Sequence, residues 1–178
     1  MAHITLPDGL PGISGPLREY PRTAQHLLGL AETLLRGPSS LTTAEREIIA
    51  TYVSSQNECV FCMSSHGAAA RSLLGQAAGT VDAVLADFET APISEKMKAL
   101  LGIAGKVQAG GRRVLEADVL RAREAGADDQ AIHDTVLIAA AFCMYNRYVD
   151  GLATLTPHDP AIYAAMGEGL AKHGYRKG

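Results

Sequence analysis

The stretch TTAEREIIATYVSSQNECVFCMSSHGAAARSLLG, residues 42–75, predicts two helices joined by a short polar turn. Thr42 followed three residues later by Glu45 is the pattern of a capping box, which marks the start of a helix. The apolar part of that helix gives way to a polar run, where we expect Ser55 or Asn57 to cap a second helix. A helical hairpin is therefore the expected centre of the fold.

The rest of the chain carries further helical patterns and none of the alternation that is typical of β-strands. Apolar residues recur at helical spacing, and Gly and Pro residues separate the segments. The predicted helices span about 22–36, 80–88, 95–107, 116–125, 129–155 and 160–173. The sequence therefore predicts an all-α fold, in which residues 116–148 form a weak pseudo-repeat of residues 41–74.

Length and composition favour one domain over residues 1–178. A chain of 178 residues with a hydrophobic fraction of 47% is long and apolar enough to bury a substantial core. Residues 1–16 are rich in Pro and Gly, which predicts an extended arm. We expect this arm to pack either across the domain or across a neighbouring subunit.

Charge and hydropathy exclude several classes of partner. The formal charge is −3, and the 16 basic and 19 acidic residues are interspersed, so we expect neither nucleic acid nor a membrane surface as a partner. The longest apolar stretch, residues 135–145, is too short to cross a bilayer, and the first residues lack a signal-peptide pattern. Three cysteines are too few for a disulfide framework. These observations predict a cytoplasmic protein.

The candidate chemistry lies in the segment from Cys59 to His66. On a helix, Cys59, Cys62 and His66 fall at offsets of three, four and seven residues, so the three side chains share one face. Two thiols that can form a disulfide, beside an imidazole that can move protons, suit redox chemistry. A position near the helix start favours Cys59 as the reactive thiolate, and pairing with the imidazole favours Cys62.

Glu47 is the fourth candidate, because a helical hairpin would bring it toward His66, where a carboxylate can orient an imidazole. Two other readings stay open on the residues alone. The two cysteines and His66 could supply three zinc ligands, with His133 or Cys143 as the fourth, or the cysteines could be buried core thiols.

The spaced set Glu47, Cys59-x-x-Cys62 and His66 resembles the active-site signature of the AhpD-like alkylhydroperoxidases, within the carboxymuconolactone decarboxylase superfamily. The flanking sequence resembles the branch of peroxidase-related enzymes, in the segments LPGI (10–13), LLRGP (34–38), EREIIA (45–50), SH (65–66) and YNR (145–147). The resemblance covers nearly the whole chain.

This resemblance implies a helical fold, assembly as a homo-oligomer (trimer or hexamer) and thiol-dependent reduction of alkyl hydroperoxides without a cofactor or metal. It implies that Cys62 is the peroxidatic cysteine, Cys59 the resolving cysteine, and Glu47 with His66 the proton relay. A lipoyl- or thioredoxin-like dithiol would be the reductant. The alternatives are a disulfide oxidoreductase without peroxidase activity and a non-enzymatic Cys/His metal-binding module. One departure is Phe61, where the best-known members carry a histidine that joins the relay.

Overall fold

The computed structural model describes residues 1–175, which fold into nine α-helices and no strand. The helices are α1 Ser14–Glu19, α2 Pro21–Arg36, α3 Thr43–Gln56, α4 Val60–Leu74, α5 Thr80–Asp87, α6 Glu95–Ala109, α7 Glu116–Glu124, α8 Asp129–Gly151 and α9 Pro160–His173. The predicted all-α class is confirmed. Helix α8 ends at Gly151 rather than near 155, because Ala153 adopts a left-handed φ of 48° that a helix cannot contain.

Helices α3 and α4 form the predicted hairpin. The Thr42 side chain accepts a hydrogen bond from the Glu45 amide at 3.2 Å, and the Glu45 carboxylate accepts one from the Thr42 amide at 2.8 Å. This reciprocal pair is a capping box and fixes the start of α3.

The expected cap of α4 is wrong. Cys59, not Ser55 or Asn57, is the N-cap residue of this helix. The Ser55 hydroxyl turns back to the Tyr52 carbonyl at 2.7 Å, and the Asn57 amide reaches across to α8. Glu58 adopts a left-handed φ of 58°, which reverses the chain within a few residues. The tight reversal places Cys59 itself at the start of α4.

Helix α3 packs against α4, α6 and α8, and α9 packs against α4. The main core contains these fully buried side chains: Leu35, Leu41, Ile49, Val53, Leu100, Leu101, Ile103, Ile138 and Phe142. A second, smaller apolar cluster surrounds the cysteines and contains Cys59, Phe61, Cys62, Val149 and Tyr163. Across the part of the chain that the structure describes, no helix is long and apolar enough to cross a membrane.

The N-terminal arm packs across its own domain, over the cysteine cluster. The His3 amide bonds to the Leu152 carbonyl at 2.9 Å, and the Gly12 amide bonds to the Leu155 carbonyl at 2.7 Å. Gly12 has a φ of +51°, and a Cβ built there would lie 2.1 Å from the ring of Phe61. Only glycine fits this conformation and this approach, so the arm seals the side of the cluster that Phe61 fills.

Gly167 sets the close approach of α9 to α4, which leads to a stability prediction. A Cβ at this position would lie 2.5 to 2.7 Å from the backbone of Ala68 and Ala69. We expect Gly167→Ala to force the helices apart and lower the free energy of unfolding by about 1–3 kcal/mol. Gly169→Ala, on the same helix but with open space around it, should be neutral or stabilising by up to about 1 kcal/mol. Chemical denaturation of both variants tests this, and an equal loss of stability in the two would contradict it.

Candidate active site

The hairpin brings Glu47 of α3 against His66 of α4. The Glu47 Oε2 atom lies 2.8 Å from Nδ1 of His66, so the contact expected from the hairpin is present. The contact joins residues on two helices that pack side by side. The other nitrogen of the imidazole, Nε2, remains available to exchange a proton.

Glu47 is completely buried and accepts hydrogen bonds from three partners. Besides His66, these are the Arg36 guanidinium and the Tyr175 hydroxyl, each 2.6 Å from Oε1. Burial is the largest single influence and would raise the pKa of Glu47. The three partners outweigh it, His66 most strongly, and hold the pKa below its usual value, so the carboxylate is ionised inside the protein.

Aromatic rings fix the His66 imidazole on two sides. Phe142 of α8 meets it edge to face, with ring centroids 4.6 Å apart. The ring of Tyr175 lies nearly parallel to it, at 5.9 Å and 12°. The Arg36 guanidinium lies over the ring of Tyr175, 5.1 Å from its centroid. Packed in this way, the imidazole has little freedom to leave the carboxylate.

The two cysteines lie at the start of α4, and both are buried, with exposures of 0% for Cys59 and 3% for Cys62. A hydrogen bond between the two thiols lowers the pKa of Cys62 and raises that of Cys59. The positive charge of His66 and a hydrogen bond from Asn146 lower the pKa of Cys62 further. Burial and the charge of Asp150 raise the pKa of both thiols, so they add to the effect of the hydrogen bond at Cys59 and oppose it at Cys62. The net effect makes Cys62 the more acidic thiol.

A chain of side-chain amides holds Asn146 in place. Gln108 of α6 donates to the Asn57 carbonyl oxygen at 2.9 Å, and the Asn57 amide donates to the Asn146 carbonyl oxygen at 2.8 Å. The Asn146 amide in turn lies 3.0 Å from the hydroxyl of Ser54. Because its oxygen is occupied by Asn57, Asn146 presents its NH₂ group toward α3 and Cys62. The third cysteine, Cys143, meets the same Asn57 amide at 3.5 Å.

All four residues expected from the sequence therefore lie in one region of the hairpin, and three further residues join them. Arg36 and Asn146 lie within the segments LLRGP and YNR, so a sequence signal for them existed. Tyr175 follows α9, is 128 positions from Glu47, and belongs to no motif. Within residues 1–175, no three His, Cys, Asp or Glu side chains converge into a group that could hold a metal ion.

Comparison with known proteins places this site in a family context. Residues 21–106 match the model of the carboxymuconolactone decarboxylase family, a span that includes Glu47, both cysteines of the pair and His66. No curated protein matches the chain.

Two crystal structures are similar to this one. An uncharacterized peroxidase-related protein from Silicibacter sp. TM1040 superimposes with a TM-score of 0.76 at 28% identity, over 86% of this chain and 80% of the other. An alkylhydroperoxidase AhpD core protein from Ralstonia eutropha JMP134, also described as an uncharacterized peroxidase-related protein, gives 0.78 at 28% identity, over 89% and 81%. The family-model match and the two similar structures support a place for this chain in the AhpD-like/carboxymuconolactone decarboxylase superfamily.

Proposed function

We propose that this protein reduces alkyl hydroperoxides through the Cys59–Cys62 pair. The observation that carries the proposal is the asymmetry of the two thiols: the pKa of Cys62 is lowered, and that of its neighbour is raised. A thiolate is the nucleophile in peroxide reduction, so the acidic thiol attacks and the other one resolves. The peroxidase-related names of the two similar structures support the same reaction class.

In the first step, the Cys62 thiolate attacks one oxygen of the hydroperoxide and the O–O bond breaks. The sulfur becomes a sulfenic acid, and the alkoxide leaves as an alcohol after it takes a proton. His66, oriented by Glu47, removes the thiol proton beforehand and returns a proton to the leaving oxygen. In the second step, the Cys59 sulfur attacks the sulfenic sulfur, and water leaves with the Cys59 proton. An external dithiol, lipoyl- or thioredoxin-like, then reduces the disulfide by thiol–disulfide exchange.

Phe61 stands where the best-known members of the resembled family carry a histidine of the relay, so the proton path here must differ from theirs. Its ring packs among the cysteines and Tyr163, at 6.1 Å between centroids, and it can carry no proton. His66 therefore serves as the sole imidazole of the proposed relay. The apolar side of the cluster instead excludes water from the thiols, which protects a sulfenic acid until the resolving thiol reacts.

The surroundings of the pair suit an organic substrate. A cavity of about 680 Å³ lies beside the start of α4, and its apolar lining includes Val60, Met63 and Tyr163. Tyr163 also packs in the cysteine cluster, so the cavity and the thiols share a wall. An apolar lining of this kind favours the alkyl part of a hydroperoxide over hydrogen peroxide alone.

We also propose that the protein is a homo-oligomer, a trimer or a hexamer. The outer face of α8 exposes Val136, Leu137 and Met144, each between 36% and 42% accessible. These positions follow helical spacing and form an apolar stripe, which a second copy of the chain can cover.

Counting free thiols before and after a peroxide pulse tests the proposed function. One equivalent of an alkyl hydroperoxide should remove two of the three thiols, and a dithiol should restore both. Peptide mapping should locate the new disulfide between Cys59 and Cys62. If the pair is oxidised by a disulfide substrate but not by peroxide, the protein is a disulfide oxidoreductase. Thiols that resist both oxidants would overturn the redox assignment altogether.

A further inference from the structure

We propose that Tyr175 is a positioning residue of the proton relay, which holds His66 in the tautomer that leaves Nε2 free to accept the Cys62 proton. The inference deepens the proposed function and rests on it. Tyr175 lies outside the segment that matches the family model, which ends at residue 106. The packing of α9 against α4 brings Tyr175 to Glu47, which is 128 positions away in the sequence.

The direction of each hydrogen bond follows from the groups involved. An ionised carboxylate only accepts, so the single hydroxyl proton of Tyr175 goes to Glu47 Oε1, at 2.6 Å. The Tyr175 oxygen also lies 3.1 Å from Nδ1 of His66, and having used its proton it can only accept there. Glu47 Oε2 accepts from the same nitrogen at 2.8 Å. Two acceptors therefore face Nδ1, which must carry the proton.

The same phenol helps to keep Glu47 ionised. Burial and the adjacent charge of Glu47 raise the pKa of Tyr175 well above its usual value, so the residue remains a donor. As a donor it is one of the three groups that hold the pKa of Glu47 low. Loss of the hydroxyl would weaken the carboxylate as a partner of His66 and remove one of the two acceptors at Nδ1.

The backbone directs Tyr175 into this position. Gly174 ends α9 with a φ of +69°, and a Cβ there would lie 2.6 Å from a carboxylate oxygen of Glu32. The same Glu32 carboxylate accepts the Tyr175 backbone N–H at 2.6 Å. The left-handed φ favours glycine at 174, and a Cβ there would push aside the Glu32 carboxylate that holds the Tyr175 backbone. The turn after α9 is built so that the next residue reaches Glu47.

Tyr175→Phe tests the inference, because it removes the hydroxyl and keeps the ring against His66. Two quantities are measured in each protein: the pH midpoint of Cys62 alkylation by iodoacetamide, followed by peptide sequencing, and the nitrogen NMR shifts of the His66 imidazole. We expect the wild-type protein to show protonated Nδ1. In the variant the tautomer preference should weaken and the alkylation midpoint should rise by about 0.5 to 1 pH unit, a change of roughly three- to tenfold in rate at neutral pH.

Tyr145→Phe is the matched control. It removes the hydroxyl of another buried tyrosine, bonded at 2.8 Å to the Leu27 carbonyl, and should leave both readouts unchanged. Gly174→Ala provides a second route, since it displaces Tyr175 with every relay side chain intact and should raise the midpoint in the same direction.

An unchanged midpoint and tautomer in Tyr175→Phe, or protonated Nε2 in the wild type, would overturn the inference. Neither measurement needs peroxide turnover. A wild-type protein that fails to consume peroxide but shows the expected shifts would therefore overturn the proposed function and support the role of Tyr175.

Discussion

Cys62→Ser should abolish peroxide consumption, whereas Cys59→Ser should consume one equivalent of peroxide per subunit and then stop. Serine cannot supply a thiolate, so the first variant loses the nucleophile and falls to the rate of the dithiol donor alone. The second variant keeps the acidic thiol and forms the sulfenic acid. It lacks the sulfur that closes the disulfide, so the disulfide that the external dithiol reduces never forms.

The geometry makes the two outcomes unequal. The positive charge of His66 and a hydrogen bond from the Asn146 amide both stabilise a thiolate at Cys62. Cys59 is the N-cap residue and donates to Cys62, which raises its own pKa. The roles are therefore not interchangeable, although the two residues share one turn of chain.

Stopped-flow peroxide assays and trapping with dimedone measure both outcomes. Dimedone should trap little adduct in the wild-type protein, because Cys59 consumes the sulfenic acid quickly. The adduct should accumulate at Cys62 in Cys59→Ser and be absent from Cys62→Ser. Cys143→Ser is the matched control, because this thiol lies outside the pair, against the main core and the Asn57 amide, and its loss should leave turnover unchanged. Full turnover in either member of the pair, or a stoichiometric burst in Cys62→Ser, would contradict the assignment.

The helical hairpin and the Glu47–His66 contact were predictable from sequence because the information is local. A capping box specifies the start of α3 through residues three positions apart, and the spacing of Cys62 and His66 places both on one helical face. The contact then follows from any antiparallel packing of the two helices, which the short turn at Glu58 enforces.

Other parts of the site depend on contacts between distant positions, and no local pattern carries them. Tyr175 reaches Glu47 across 128 positions, and Asn146 reaches Asn57 across 89. Asn57 was expected to cap α4, and its short polar side chain fits that role in isolation. In the folded protein the amide satisfies a buried partner on α8 instead, and the left-handed Glu58 moves the cap to Cys59. Tertiary contacts here override a local preference.

Glu47→Gln should lower both stability and reactivity, with a larger loss of stability than Gly167→Ala. The substitution keeps the shape of the side chain but removes a fully buried charge. Arg36, whose side chain is only 11% exposed, would then lose its carboxylate partner. We expect the free energy of unfolding at pH 7 to fall by roughly 3–5 kcal/mol, as when one partner of a buried ion pair is removed. Because His66 also loses the charge that supports its imidazolium form, peroxide reduction should fall about 100-fold or more.

The loss of stability in Glu47→Gln should depend on pH in a definite direction. The pKa of Glu47 is lower in the folded protein than its ordinary value of 4.5, so its contribution to stability is present above that value and is lost as the pH falls through the folded pKa. The stability gap between wild type and variant should therefore be widest near neutral pH and should close in acid, where the wild-type carboxyl is also neutral. Guanidinium denaturation across pH measures the gap.

Glu45→Gln, two residues away on the same helix, is the control for that experiment. A glutamine still completes the capping box, so its stability curve should follow the wild type closely. A gap for Glu47→Gln that is constant down to low pH would mean that packing, rather than the buried charge, is responsible for the loss. A gap that widens in acid would mean that the folded protein raises the pKa of Glu47. Either result would remove the ionised carboxylate on which the proposed relay depends.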